Sequence, residues 1–322
     1  MTLFITYDNE ALQDGLGAQA LRITGIYAIA KALGIRYIHS PILAAIEDVS
    51  HNLSGDSQNT ELVSFFNNFF SFPSTTRDPN GALTIDIRTL SIRELTKFYV
   101  RYVFSQKKII LKVLLPMAVL DKCPRLYEIS AIRIRTLNEK VISAHTKRPL
   151  VAHVRRGYDE KYANTKYTSG RHLPFSYFSD AMKTSVKLFR IPKGSVLTIH
   201  TDLVNKQTIW RPKQQGVLDG FRRNSGQEKS DEIKLEGHDL EREIETPSGY
   251  SLEVHYCDPL VKTFLDMCTA EVFIQGRSAL SYLAGIINPN KVLWPEVQSH
   301  SRLPRWYSSS KIGIRIRDRM LG

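Results

Sequence analysis

The sequence predicts an α/β protein made of two doubly wound parallel-sheet domains. The chain opens on a strand, a glycine-containing turn, a helix and a second strand, which is the pattern of a βαβ unit. The same alternation restarts at residue 149 and runs to residue 294. The 322 residues are about twice a typical domain, enough to bury two cores.

Residues 2–7 form the first strand, and Asp8–Asp14 a polar connection. From Gly17 to Leu33 the apolar positions Leu21, Ala28 and Ala32 keep helical spacing, and Gly34 stands where a helix stops. Ile35–His39 is the second strand. Glu61–Phe72, with five phenylalanines, packs as a helix, and Phe72–Gly81 is a loop marked by Pro73, Pro79 and a Pro-Asn-Gly turn. Ser91–Phe104 is helical, Ile109–Leu115 is an apolar run, and Leu126–Ser143 reads as one long basic helix.

The second half begins with Pro149–Val154, continuously apolar as a strand buried on both faces of a parallel sheet should be. Phe175–Phe189 is a helix, Ser195–Thr201 a strand, and residues 211–249 a charged excursion from the domain. Strand Leu252–Tyr256, helix Pro259–Met267, strand Glu271–Gln275, helix Ser278–Ile287 and strand Lys291–Trp294 follow. This divides the chain into 1–146, 147–300 and a basic tail, 301–322. The tail suits a return over the first domain, an anionic membrane surface or, with Trp306 and Tyr307 among its basic residues, RNA. Two such domains facing one another leave a cleft, and ligands of these sheets sit beyond the carboxyl ends of the strands.

Forty-four Lys and Arg against 32 Asp and Glu give a net charge of +12, which calls for an anionic partner: nucleic acid, membrane or a phosphate-bearing substrate. The composition is ordinary globular and excludes disordered and disulfide-scaffold classes. Cys123, Cys257 and Cys268 form no paired framework or ligand cluster, so a reducing compartment is expected. No signal-peptide pattern opens the sequence and no apolar run is long enough to span a membrane, so the expectation is a cytoplasmic protein, at most peripheral to a membrane.

Candidate site residues lie just after the strands. His153-Val154-Arg155-Arg156-Gly157 ends the buried strand. Two adjacent guanidiniums there can clamp a diphosphate, each meeting phosphate oxygens bidentately; a surface basic pair is the plainer alternative. Gly15-Leu16-Gly17-Ala18-Gln19 sits at a helix start, where free amides favour anions, with Arg22 one turn on; a tight turn without a ligand is the equal alternative. The third glycine of the dinucleotide fingerprint is absent and no acidic residue ends the following strand, which disfavours a nicotinamide cofactor. Asp202 ends the strand at Thr201, where it can accept from a ligand hydroxyl or cap a helix. In Arg277-Ser278-Ala279, Ser278 is a natural N-cap that leaves the next amides for a phosphate. Asp159 and Glu160 are the candidate general bases, with a solvated loop as the alternative. No Asp-x-Asp metal motif and no recognised nucleic-acid module occurs.

These pieces together resemble the fucosyltransferase superfamily that includes the α1,2-, α1,6- and protein O-fucosyltransferases. His153-Val154-Arg155-Arg156 and Gly15–Gln19 carry the likeness; Gln275-Gly276-Arg277 and Tyr158 depart from the family's usual residues. The resemblance implies a GT-B fold, two Rossmann-like doubly wound domains facing across a cleft. It implies inverting transfer of L-fucose from GDP-fucose to a glycan hydroxyl, with no bound metal and no resident cofactor. By similarity, Arg155 holds the β-phosphate, Arg156 assists it, His153 and Asp202 lie near the nucleoside, Ser278 sits at the diphosphate, and Gly15 and Gly17 close over the donor. Another nucleotide sugar is the nearest alternative, and a basic polyanion-binding protein is the alternative of a different class.

Overall fold

A computed structural model of the chain describes residues 2–10, 15–43, 56–74, 80–102, 104, 107–155, 173–202, 239–256, 258–296 and 300–314. Among these, ten strands form two sheets, every pair parallel. The chain divides into two compact units, one around each sheet. The first unit gives way to the second between Ser143 and Ala144; residues 300–304 group with the first and Arg305 onward with the second.

The first sheet holds β1 (Thr2–Tyr7), β2 (Arg36–Tyr37), β3 (Leu83–Thr89) and β4 (Lys108–Leu115) in the order β2-β1-β4-β3. Helix α1 (Leu16–Leu33) joins β1 to β2. Leu16 and every residue from Gln19 to Ala30 are buried, so the helix is enclosed on all sides, and its nearly uniform apolar sequence is what that position requires. It ends at Gly34, whose φ of 65° turns the chain left-handed while its N–H returns to the carbonyls of Ala30 and Lys31. Helices α2 (Asp56–Phe69), α3 (Ile92–Tyr102) and the short α4 (Met117–Leu120) follow.

Two expectations for this half need correction. The single helix expected over Leu126–Ser143 is two, α5 (Leu126–Leu137) and α6 (Glu139–Ala144). Asn138 separates them: its side-chain amide donates to the carbonyls of Ile134, 2.9 Å away, and Phe69, 2.8 Å away. A short polar side chain that bonds local backbone in this way competes with the helical ladder. The second correction is β3, absent from the expected strands; it lies at the sheet edge, with Ile87 its one buried residue.

The second sheet holds β5 (Leu150–Val154), β6 (Val196–Thr201), β7 (Ser251–Tyr256), β8 (Val272–Ile274), β9 (Lys291–Trp294) and β10 (Tyr307–Ser308), in the order β10-β9-β8-β5-β6-β7. Its helices are α7 (Phe175–Leu188), α8 (Leu240–Glu243), α9 (Leu260–Thr269) and α10 (Ala279–Ile287). Period-two alternation sorts the strand residues by face. Leu150, Ala152, Val154, Leu197 and Ile199 join Tyr177, Phe178, Ala181 and Met182 of α7 in one core. On the opposite face His200 meets Thr263 and Asp266 of α9. Helices therefore cover both faces, and the central strand β5 is wholly buried, as a doubly wound sheet demands.

The end of the described chain is pinned to this sheet. The Arg305 guanidinium donates to the carbonyls of Gly285, Ile286 and Asn288, where α10 runs out of intrahelical donors. Trp306 packs edge-on against Tyr282, and Tyr307–Ser308 pairs with β9.

Candidate functional site

In the second sheet the chain leaves β5 in one direction through β6 and β7 and returns on the other side through β8, β9 and β10. The strand order therefore reverses between β5 and β8. At such a point the connections diverge to opposite faces and leave a crevice beyond the carboxyl ends of the two strands. Arg155 follows β5 there, and Gln275-Gly276-Arg277-Ser278 follows β8.

The two strand ends touch. A Cβ on Gly276 would stand 2.2 Å from the carbonyl oxygen of His153, a backbone atom that cannot swing aside, so only glycine lets the chain pass. From Gly276 the chain turns directly into α10. The Gly276 N–H donates to the Ser281 hydroxyl at 3.0 Å, and Ser281 N–H donates to the Ser278 hydroxyl, also at 3.0 Å. Ser278 is thus a true N-cap in extended conformation. It satisfies the third amide of α10. The amides of Ala279 and Leu280 fall in the first turn, where a helix has no internal acceptors for them.

Arg155 lies one residue past the pair Val154–Thr201 that ends the β5–β6 ladder. Asp202 lies one residue past the same pair on β6. The Asp202 carboxylate, almost fully buried, stands 3.9 Å from Arg155 Nε, whereas the Arg155 side chain is one-third exposed. Asp202 therefore sets a negative charge beside the guanidinium on its buried side.

Behind the strand ends runs a feature that the sequence reading did not identify. His153, His200 and His255 are register partners on β5, β6 and β7. His200 and His255 stack at 4.8 Å with planes 19° apart. Asp266 of α9, 2% exposed, accepts from His200 Nε2 at 2.8 Å and from His145 Nε2 at 2.7 Å. Burial alone would raise the Asp266 carboxyl, but the two histidine hydrogen bonds and their charges outweigh it and bring it down to about 2. His200 moves down because burial disfavours its charged form, a shift that Asp266 opposes. Neutral His200 then donates from Nε2 to Asp266, and the Thr263 hydroxyl, 3.3 Å from Nδ1, donates to the other nitrogen. One signal could have revealed the row: each histidine is the next-to-last residue of its strand.

His153, Arg155, Asp202, Arg277, Ser278 and Ala279 all lie at or just past the carboxyl ends of β5, β6 and β8 in the second unit. Arg156 and Asp159 lie outside the described residues, as does Glu160. Gly15, Gly17, Gln19 and Arg22 belong to the first unit, at the beginning of α1. There the Gly15 carbonyl accepts from the amides of Ala18 and Gln19, closing the first turn. The Gln19 side chain donates to the Leu43 carbonyl and accepts from its N–H, at 3.0 and 3.1 Å, and so holds Leu43 against α1. Arg22, buried, donates to the Tyr7 hydroxyl at the end of β1. Nearby, Lys112 pairs with Asp8 and Glu10; its hydrogen bond to Glu10 leads the causes that raise its basicity. Among the described residues, no group of three or more His, Cys, Asp or Glu is arranged to hold a metal ion.

No protein-family model matches the chain, and no curated protein does. Among solved structures it is similar to POFUT1 in complex with GDP-fucose, at 11% identity over 98% of both chains with a TM-score of 0.44. It is also similar to the E. coli heptosyltransferase WaaC with ADP-2-deoxy-2-fluoro heptose, at 8% identity over 95% of this chain and 92% of that one, with a TM-score of 0.36. At such values the likeness carries no argument about activity, which rests on the site residues.

Proposed function

We propose that this chain is a glycosyltransferase of GT-B type whose donor is a nucleoside diphosphate sugar, most specifically GDP-fucose. One observation carries the reading. Among the described residues the order of the second sheet reverses between β5 and β8, and the residues that follow those two strands are Arg155, paired with Asp202, and the Ser278-capped first turn of α10. Both are permanent sources of positive potential, and a diphosphate is the ligand that uses both.

The chemistry follows from where charge grows. Transfer breaks the bond between the anomeric carbon and the β-phosphate oxygen, and the electron pair leaves with that oxygen. The acceptor hydroxyl oxygen bonds to the anomeric carbon from the opposite face, which inverts it, and its proton passes to a base. The products are the glycoside, the nucleoside diphosphate and that proton. Arg155 and the α10 amides meet more negative charge in the transition state than in the ground state, so they accelerate departure rather than merely tightening binding. Fixed cations and amides of this kind can serve where other transferases use a metal ion, so turnover is expected to persist in excess chelator. Asp159 is our candidate for the base, with Arg156 assisting Arg155. A glycan hydroxyl is the proposed acceptor.

Arg155→Ala tests the assignment. Removal of one preorganised charge-stabilising donor costs about 10²–10³ in kcat, and the variant should show that loss when assayed below its own Tm, which the buried Asp202 carboxylate left without its cation is expected to lower. A folded Arg155→Ala enzyme with wild-type turnover would refute the assignment. Thermal shifts with GDP, ADP, UDP and dTDP identify the base, since only a ligand that binds the native state raises Tm; GDP is expected to raise it most.

A further inference from the structure

Helix α3 has an outward face that the proposed reaction does not use. No residue of the helix is buried. It is nonetheless well formed at its start, where the Ser91 hydroxyl accepts from Glu94 N–H at 3.1 Å in a Ser-x-x-Glu cap. Its half-buried edge carries Leu95, Phe98 and Tyr102, and the remaining arc faces water. On that arc Arg93, Lys97 and Arg101 recur at every fourth residue and make one stripe. Beside the stripe stand Ile92, Tyr99 and Val100, 45, 60 and 67% exposed, and just past the helix Phe104 is 96% exposed. From Leu83 to Lys108 the chain carries six cationic residues against Asp86 and Glu94.

We propose that this face docks the protein on an anionic lipid surface. Ile, Val, Tyr and Phe side chains exposed to this extent gain from an apolar phase, and the neighbouring cations gain from acidic headgroups. A helix that presents both together lies in the plane of a bilayer interface. The Glu94–Lys97 pair, 2.9 Å long and exposed, is too weak to withhold Lys97 from a headgroup. A nucleic-acid strand would use the cations and could stack on Tyr99, but Ile92 and Val100 offer it no flat surface. The inference does not rest on the proposed donor site, since none of the α3 residues it uses is a candidate site residue.

Cosedimentation of the whole chain with vesicles tests it. Wild type should pellet with phosphatidylcholine–phosphatidylserine vesicles, pellet far less with phosphatidylcholine alone, and be released by salt. The triple variant Arg93→Gln/Lys97→Gln/Arg101→Gln should lose about fivefold in affinity per cation, roughly a hundredfold in all. The triple variant Tyr99→Ser/Val100→Ser/Phe104→Ser should also lose binding, and both should melt as wild type does. Wild type that ignores acidic vesicles, variants that pellet like wild type, or a face that binds single-stranded RNA in preference to lipid would each overturn the proposal.

Discussion

Gly276 is where the backbone itself shapes the site. The space its missing Cβ would need is filled by the His153 carbonyl, so even alanine must push β8 away from β5. Overpacking of this kind costs about 1–3 kcal/mol, and Gly276→Ala should show such a loss in urea unfolding together with weaker nucleotide binding. A variant that unfolds and binds like wild type would mean that the strand ends are not held together as described. The sequence marks Gly276 only as one glycine among 18; the reason for it lies in a strand more than a hundred residues away. Arg155 is different. Its place after a continuously apolar stretch is enough to put it at a buried strand's end, and register then supplies Asp202.

At the scale of elements, α10 separates capping from ligand binding. Ser278→Asp keeps an N-cap acceptor and adds a negative charge that suits the helix dipole, so stability should be unchanged or higher. The same charge occupies the place where the proposed diphosphate sits, so donor binding should fall at least about tenfold, as expected for a lost charge-assisted contact. Titration calorimetry beside thermal unfolding reads both; unimpaired binding would show that the α10 start is only a cap.

The histidine–aspartate network predicts the pH response of the second unit. His200 has a folded pKa below its ordinary 6.5, so its unfolded form binds the proton first. Its contribution is complete above pH 6.5 and is lost as pH falls towards the folded value. Asp266 has a folded pKa of about 2 against 3.8, so its contribution holds above 3.8 and is lost down to about 2. That second loss is on the order of 2 kcal/mol. Acid unfolding should therefore begin below about pH 6.5, and His200→Gln should flatten its first limb in urea titrations at stepped pH. An unchanged limb would place the response elsewhere.

For the whole molecule, the two-sheet alternation was legible because buried parallel strands are apolar runs separated by capped helices. Strand ends, the Gly34 stop and the Ser278 cap could all be read locally. What could not be read is what depends on pairing across the chain. Asn138 divides a helix by reaching Phe69. Tyr307–Ser308 becomes a strand only because β9 offers its edge, and Arg305 is held by carbonyls at the end of α10. The His145–Asp266–His200 bridge joins three separate segments. β3 is an exception, since Leu83, Ile85 and Ile87 alternate with Thr84, Asp86 and Arg88, a period of two that marks a strand without any partner in view.

The most direct test compares the nucleoside diphosphate that raises Tm most with its monophosphate, by calorimetric titration of wild type and Arg155→Ala. If Arg155 holds the β-phosphate, the variant should lose at least about tenfold in diphosphate affinity, as for a charge-assisted hydrogen bond, and keep its monophosphate affinity within about twofold. Equal losses for both nucleotides, or none for either, would contradict the account.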